Sequence, residues 1–217
     1  MELYTTLMPN NPGQLQAVNS WQRAGFAPVS INSLNEIAKL KNEYLDVRFV
    51  PASPPMPPTL DKLLAAVPMD QPVGIINSDV YLTLRPEELP ELGDRFIFGH
   101  RIDVPHFGRL SGEPFIAGFD FFFFHGRFRR AVPASLFQLG RPAWDYWLPW
   151  CLAKVCRPLL LTTPAAFHAK HEQRWDKVQH HRFCDELRKR TGLSASDMWK
   201  KLTAFPARSL EELGDPV

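Results

Sequence analysis

Short apolar runs alternate with stretches of helical periodicity over the first eighty residues of the chain. Four of these runs have the length and composition of β-strands: residues 3–7, 26–31, 47–50 and 73–76. Leu15, Val18 and Trp21 are spaced as on one face of a helix, and Ser33 with Glu36 has the spacing of a capping box. The alternation predicts a mostly parallel α/β sheet with right-handed crossovers and flanking helices.

The second half of the chain has a less regular pattern. Further strands are expected at three places: residues 96–98, 118–124 and 159–161. A tryptophan-rich helix is expected over residues 144–152, and the last forty-odd residues are helical with a break at Gly192 and Ser194. No internal repeat or flexible linker divides the sequence, so we expect one domain over residues 1–217.

Composition narrows the classes of function. The 217 residues carry a formal net charge of +2, which is too mild for a nucleic-acid-binding face. No apolar run is long enough to span a membrane and the N-terminus lacks a signal-peptide layout, so a cytoplasmic location is expected. The three cysteines show no C-x-x-C pair, which favours reduced, structural thiols.

A polar triplet follows the fourth predicted strand, where Asn77-Ser78-Asp79 comes directly after Ile75-Ile76. In open α/β sheets the ligand lies beyond the carboxyl ends of the strands, which points to residues 5–10, to Asn32 and Ser33, and to this triplet. A carboxylate there can ligate a divalent cation that neutralises a diphosphate. The alternative is that Asn77 and Asp79 cap a turn or the next helix.

Two aspartates stand among aromatic residues. Asp120 is surrounded by five phenylalanines, so it is either a carboxyl with a raised pKa or a group paired with backbone amides or with Arg101. Asp145 follows Trp144 and precedes Tyr146 and Trp147. That segment is either a helix N-terminus with aromatic anchors or a platform for a sugar beside a working carboxylate.

Two histidines, His168 and His171, follow the last predicted strand three residues apart. They are either surface histidines at a helix start or ligands for a metal or a phosphate, because neutral imidazole is a competent ligand. As a zinc site the pair lacks a third ligand. The sequence contains no G-x-S-x-G, no G-x-G-x-x-G after the first strand and no P-loop, which disfavours serine hydrolases, Rossmann dinucleotide sites and P-loop enzymes.

The order of strands and helices, with the triplet after the fourth strand, resembles the GT-A fold of nucleotide-sugar glycosyltransferases. Three later segments, residues 98–103, 118–124 and 140–148, resemble patterns of little-characterised bacterial glycosyltransferase-like proteins. The similarity covers most of residues 1–185. It implies a single GT-A-like domain with a nucleotide-binding half (1–85), an acceptor-side half (86–165) and C-terminal helices (166–217).

On the donor side, the resemblance gives Asp79 the place of the last aspartate of the D-x-D motif, which contacts the metal. Asn77 stands where the first aspartate usually stands, which removes one negative charge from the motif. The resemblance implies a divalent cation, Mn²⁺ or Mg²⁺, and a ligand for the metal or the diphosphate from His168 or His171. Arg101 is expected to assist or replace the metal.

The resemblance also implies residues that frame the nucleotide, namely Thr5, Asn10 and Asn32. On the acceptor side it implies a carboxylate, which inverting enzymes use as a general base toward the attacking hydroxyl. Asp145 is the best match for that carboxylate and Asp120 is the second.

The function implied is transfer of a hexose or related sugar from a nucleoside-diphosphate sugar to a hydroxyl acceptor. One alternative is a non-catalytic nucleotide- or sugar-binding module, because Asn77 weakens the motif. A second alternative is a nucleotidyltransferase. It is disfavoured because residues 8–13 contain no lysine or arginine to hold a triphosphate.

Overall fold

A computed structural model describes residues 1–11, 13–171 and 175–214, so residues 172–174 and 215–217 of the predicted C-terminal segment 166–217 lie outside it. The helices are α1 Gln14–Arg23, α2 Leu34–Leu40, α3 Leu60–Ala65, α4 Trp144–Leu152, α5 Lys177–Thr191, α6 Ala195–Thr203 and α7 Leu210–Gly214. The first strands are β1 Glu2–Thr5, β2 Ala27–Asn32, β3 Arg48–Pro51, β4 Pro72–Ile76, β5 Val80–Leu82 and β6 Arg95–Gly99. The remaining strands are β7 Arg101–Val104, β8 Glu113–Phe115, β9 Phe121–His125, β10 Arg157–Leu161, β11 Ala166–Ala169 and β12 Ala207–Arg208.

A large sheet of eight strands has the order β12-β10-β6-β9-β4-β1-β2-β3. All neighbours in it are parallel except β9, which pairs antiparallel with both β4 and β6. Helices cover both faces of this sheet. The predicted fold class, a mostly parallel sheet with flanking helices and a helical C-terminus, is confirmed.

The central strands are apolar throughout because both of their faces are buried. Along β9, Phe122 and Phe124 face the core on the side of α4, whereas Phe121 and Phe123 face the core on the side of α1. All four side chains are at most 1% exposed. Each contributes roughly 1.5–3 kcal/mol by burial, so this strand anchors the middle of the sheet.

Local signals in the sequence set several helix ends. Ser33 accepts a hydrogen bond from the Glu36 amide and Glu36 reaches back to the Ser33 amide, which confirms the predicted capping box. The φ angle of Gly192 is +74°, a left-handed conformation that ends α5 at low steric cost. Ser194 then accepts a hydrogen bond from the Asp197 amide and starts α6, as expected.

A second sheet of four strands, with the order β5-β11-β7-β8, was not predicted. Three of its strands come directly after strands of the large sheet that run parallel to one another, since β4 leads into β5, β6 into β7 and β10 into β11. The small sheet therefore lies beyond the carboxyl ends of the large one. Trp21 and Ser20 of α1 fix its edge, because Trp21 Nε1–H donates to the Val80 carbonyl (2.7 Å) and Ser20 Oγ accepts from the Leu82 amide (2.9 Å).

Candidate functional site

Three ligand atoms converge beyond the carboxyl end of β4. His171 Nε2 lies 3.1 Å from Asp79 Oδ2 and 3.1 Å from His168 Nε2, and His168 Nε2 lies 3.9 Å from Asp79 Oδ2. Among the histidine, cysteine, aspartate and glutamate side chains of the described residues, these three lie close enough together to hold one metal ion. We name Asp79, His168 and His171 the Asp-His-His cluster.

The small sheet places this cluster. In β11, His168 stands opposite Val80 of β5 on one side and opposite Asp103 of β7 on the other. Asp79 immediately precedes Val80, so the strand register brings its carboxylate beside His168. The interpretation of His168 as part of a helix start is therefore wrong, because it lies in a strand and is only 9% exposed at its side chain. The cluster opens to solvent at His171, whose side chain is 36% exposed.

The electrostatics of the cluster suit a cation. Burial raises the pKa of Asp79, but the hydrogen bond from His171 and the attraction of His168 and His171 in their protonated forms outweigh it, so the net pKa lies below the ordinary value. Burial and the nearby Arg101 charge lower the pKa of His168. Asp79 is thus a carboxylate and His168 a neutral imidazole at neutral pH, which are the protonation states that bind metal.

The donor set fits a divalent ion. The three ligand atoms lie within 4.8 Å of one another, near enough for one ion to contact all of them. Asp79 Oδ2, His168 Nε2 and His171 Nε2 are the atoms that would hold it. Two imidazoles and one carboxylate suit Mn²⁺ and other transition ions better than Mg²⁺, which prefers oxygen ligands alone.

Arg101 lies at the centre of a second group of charges. Its Nε donates to Asp103 Oδ1 (2.8 Å), and its Nη1 lies 3.1 Å and 3.2 Å from the two carboxylate oxygens of Asp120. Its guanidinium also stacks over the ring of Phe115 at 4.1 Å. Burial lowers the pKa of Arg101, but the charges of Asp120 and Asp103 raise it by more, so the net pKa lies above the ordinary value and Arg101 stays charged. Of the two alternatives for Asp120, the structure contains the pairing with Arg101.

Asn77 joins Asp120 to the end of β4. Its Nδ2 donates to Asp120 Oδ1 (2.5 Å), and its backbone amide donates to the Asp120 carbonyl (3.1 Å). Its Oδ1 is buried and makes no hydrogen bond to any described residue. Buried polar atoms are nearly always paired, so this oxygen is an exception among the described residues.

Asp145 lies in the first turn of α4, which begins as predicted at Trp144. Its Oδ2 accepts a hydrogen bond from the Phe119 amide at 3.1 Å. Burial raises the pKa of Asp145 to about 7, and the charge of Asp120 adds to the effect. A carboxyl with this pKa exchanges protons near neutrality, which is the property that a general acid or base requires.

The segment before Asp120 is fixed by three aromatic side chains. Trp199 Nε1–H donates to the Ile116 carbonyl (2.6 Å), Tyr146 Oη–H donates to the Ala117 carbonyl (2.6 Å), and His100 Nδ1 lies 2.9 Å from the Gly118 carbonyl. This strap of residues 116–118 holds Asp120 and the Phe119 amide in place. A Cβ at position 118 would lie 2.7 Å from Asp145 Oδ2, so any larger residue there would have to displace this carboxylate.

The residues expected to frame a nucleotide lie at the ends of β1 and β2. Thr5 is fully buried and its Oγ1 makes no hydrogen bond to any described residue, whereas Asn10 is exposed with a left-handed φ of +62°. Asn32 is buried and bonded, because its Nδ2 donates to the Leu7 carbonyl (2.8 Å) and its Oδ1 accepts from Ser30 (2.6 Å). Asn32 therefore holds the loop after β1 in position.

Sequence reasoning missed two residues of this region, Asp103 and His100. Asp103 contacts both Arg101 and His168, and His100 fastens the strap at Gly118. The available signal was the alternation of Arg101 and Asp103 with Ile102 and Val104, which places the two charged residues on one face of a strand. That signal is hidden because the strand begins only two residues after the end of β6.

A hollow of about 390 Å³ lies elsewhere, and Arg95, Arg157, Arg208 and Glu212 are among the residues that line it. Arg95 and Arg157 are the first residues of β6 and β10, whereas Arg208 stands opposite Leu161, the last residue of β10, so the hollow lies along the β10–β12 edge of the large sheet. No predicted site residue lines it. No described helix is both long and apolar enough to cross a bilayer.

Among known proteins, this chain resembles solved structures but matches no sequence family. The chain matches no protein-family model and no curated protein sequence. Among solved structures, HddC from Yersinia pseudotuberculosis is 10% identical with a TM-score of 0.44, over 86% of this chain and 99% of HddC. An active-site mutant of LgtC is 16% identical with a TM-score of 0.43, over 87% of this chain and 96% of LgtC.

A putative glucose-1-phosphate thymidylyltransferase from Bacillus anthracis is 9% identical with a TM-score of 0.42, over 89% of this chain and 94% of that one. Likenesses of this size assign neither a family nor an activity. The function has to be argued from the site itself.

Proposed function

We propose that this protein transfers a sugar from a nucleoside-diphosphate sugar to a hydroxyl acceptor with the help of a divalent cation. The observation that carries the proposal is the convergence of Asp79, His168 and His171 beyond the carboxyl end of β4. Open α/β sheets bind ligands at this edge. The resemblance of the Asn77-Ser78-Asp79 triplet to the D-x-D motif points to the same place.

The Asp-His-His cluster forms the donor side of the proposed site. Asp79, His168 and His171 would hold a divalent cation there, and its positive charge would provide electrostatic stabilisation of a diphosphate leaving group. Thr5 Oγ1 and Asn77 Oδ1 are both buried and lack a hydrogen bond among the described residues, so a donor substrate would reach them only after a local rearrangement. Arg101 acts indirectly, since Asp103 and Asp120 already occupy its guanidinium.

Asp145 forms the acceptor side. The acceptor oxygen bonds to the anomeric carbon as the bond from that carbon to the diphosphate breaks, and the hydroxyl proton passes to the Asp145 carboxylate. The raised pKa of Asp145, about 7, makes this carboxylate a stronger base than an ordinary aspartate. Asp120 has a different task, because Arg101 and Asn77 both bond to it.

Thermal unfolding with candidate donors tests the proposal. UDP-, GDP- and ADP-sugars are each added with Mn²⁺ or with EDTA, and a CMP-sugar, which lacks a diphosphate, serves as the negative ligand. A ligand at a hundred times its Kd adds about 2.7 kcal/mol to the free energy of unfolding. We expect one diphosphate sugar to raise the melting temperature in Mn²⁺ and not in EDTA.

Two variants make the result specific. Asp79→Asn should abolish the Mn²⁺-dependent shift, whereas Asp70→Asn, which alters an exposed carboxylate outside the cluster, should retain it. The proposal fails if no nucleoside-diphosphate sugar shifts the wild-type protein in Mn²⁺, or if Asp79→Asn shifts as far as the wild type.

A further inference from the structure

Both ring nitrogens of His168 have a partner. Nδ1 lies 3.2 Å from Asp103 Oδ1, and Nε2 faces His171 Nε2 at 3.1 Å and Asp79 Oδ2 at 3.9 Å. An ionised carboxylate can only accept a hydrogen bond. The proton of the neutral imidazole therefore resides on Nδ1, and the lone pair of Nε2 points at the Asp-His-His cluster.

Asp103 is itself held in place. Arg101 Nε donates to the same oxygen, Oδ1, at 2.8 Å, and the Asp103 side chain is only 17% exposed. Arg101 is in turn fixed by Asp120 and by the ring of Phe115. Asp103 Oδ1 therefore lies between the Arg101 guanidinium and His168 Nδ1, in position to accept a hydrogen bond from each.

The strand register makes this arrangement rigid. Asp103 stands opposite His168 in the parallel pair of β7 with β11, and Arg101 stands opposite Phe115 in the antiparallel pair of β7 with β8. Residues 101 and 103 share one face of β7 because side chains alternate along a strand. The contacts from Phe115 to His168 therefore follow one face of the small sheet.

We propose that Asp103 is a positioning residue that fixes the tautomer and the ring orientation of His168, so that Nε2 is presented to the divalent cation. The inference rests on the proposed function for the cation, but its first step concerns the metal-free protein. Carboxylates that orient a metal-ligating histidine typically account for about 10–100-fold in metal affinity. Asp103 touches neither the cation nor the substrate.

Nitrogen NMR on the metal-free full chain tests the first step. Protein labelled with ¹⁵N at histidine should show His168 protonated on Nδ1 with an unprotonated Nε2. In Asp103→Asn the His168 signals should move toward a mixture of tautomers, while those of His100, whose Nδ1 faces the Gly118 carbonyl, stay unchanged. A wild-type His168 that carries its proton on Nε2 overturns the proposal, whether or not the variant folds.

Calorimetric titration with Mn²⁺ tests the second step. We expect Asp103→Asn to bind Mn²⁺ about 10–100-fold more weakly than the wild type. Asp94→Asn is the matched control, because Asp94 also pairs with an arginine (Arg157, 2.8 Å) but is exposed and outside the cluster. This control should bind as the wild type does.

The outcomes separate the inference from the proposed function. If the wild type binds Mn²⁺ and Asp103→Asn binds it equally well, the positioning role is refuted and the cation site stands. If the wild type binds neither Mn²⁺ nor Co²⁺, the proposed cation is refuted, and with it the role of Asp103 toward that cation. In that case the NMR result still decides whether Asp103 sets the tautomer of His168.

Discussion

The raised pKa of Asp145 has a consequence for stability that can be measured without knowing the substrate. Burial and the nearby Asp120 charge raise the pKa of this carboxyl from the ordinary 3.8 to about 7. A group whose pKa is higher in the folded than in the unfolded chain stabilises the fold while it is protonated. That stabilisation is complete below the unfolded pKa and is lost as the pH rises through the folded pKa.

The magnitude follows from the shift. A difference of about three pKa units corresponds to about 4 kcal/mol between the acidic and the alkaline limit. Between about pH 5 and about pH 9, the part of this energy that is lost is about 3 kcal/mol. Asp145→Asn removes the titrating group, and its amide oxygen can still accept the hydrogen bond of the Phe119 amide.

Urea unfolding at 25 °C, followed by circular dichroism at a series of pH values, measures this loss. The wild type should lose about 3 kcal/mol more than Asp145→Asn between about pH 5 and about pH 9. The difference between the two proteins isolates Asp145, because Asp79 and His168 titrate in both. At about pH 9 the variant should therefore be the more stable protein.

Asp70→Asn, which removes an exposed carboxylate, should keep the wild-type dependence on pH and controls for net charge. Equal slopes for the wild type and Asp145→Asn would refute the reasoning, because they would mean that the Asp145 carboxyl ionises as easily in the folded chain as in the unfolded one.

Three further predictions concern the same region. Asp79→Ala should abolish the Mn²⁺-dependent thermal shift and leave the ligand-free melting temperature nearly unchanged, and unfolding of the variant would favour a capping role instead. Asn77→Asp should lower the free energy of unfolding in urea by about 2–4 kcal/mol, because it places a second carboxylate against Asp120 Oδ1, where the Asn77 amide now donates at 2.5 Å. It should not tighten Mn²⁺ binding. An unchanged urea midpoint would contradict this prediction. If Asp145 is the base of the proposed transfer, kcat/KM should rise with pH to a plateau above an apparent pKa of about 7, and a profile flat from about pH 5 to about pH 9 would exclude that role.

The large sheet could be predicted because its strands are buried on both faces. Runs such as Val73-Gly74-Ile75-Ile76 are apolar at every position, and such runs indicate central strands. The observed bounds of the first four strands differ from the predicted ones by one or two residues. The antiparallel direction of β9 could not be predicted, since four consecutive phenylalanines fit a central strand of either direction.

The small sheet escaped prediction because its strands are three or four residues long and carry charged side chains. Arg101 and Asp103 alternate with Ile102 and Val104, which is a strand pattern, but only one residue separates it from the end of β6. His168 and His171 could be named as candidate ligands from the sequence. Their contact with Asp79 depends on the pairing of β11 with β5, and His171 lies 92 positions from Asp79 along the chain. Only the three-dimensional register brings those atoms together.

The charges of this region offer a reason for the asparagine at position 77. Four aspartates, at positions 79, 103, 120 and 145, lie in one connected set of contacts, and Arg101 is the permanent cation among them. A fifth carboxylate at position 77 would lie against Asp120, whereas the Asn77 amide gives Asp120 a hydrogen-bond donor. Arg101 supplies one positive charge against Asp103 and Asp120, and Asp79 carries a further negative charge beside the two histidines. An asparagine at position 77 therefore keeps Asp120 bonded without adding a fifth carboxylate to these contacts.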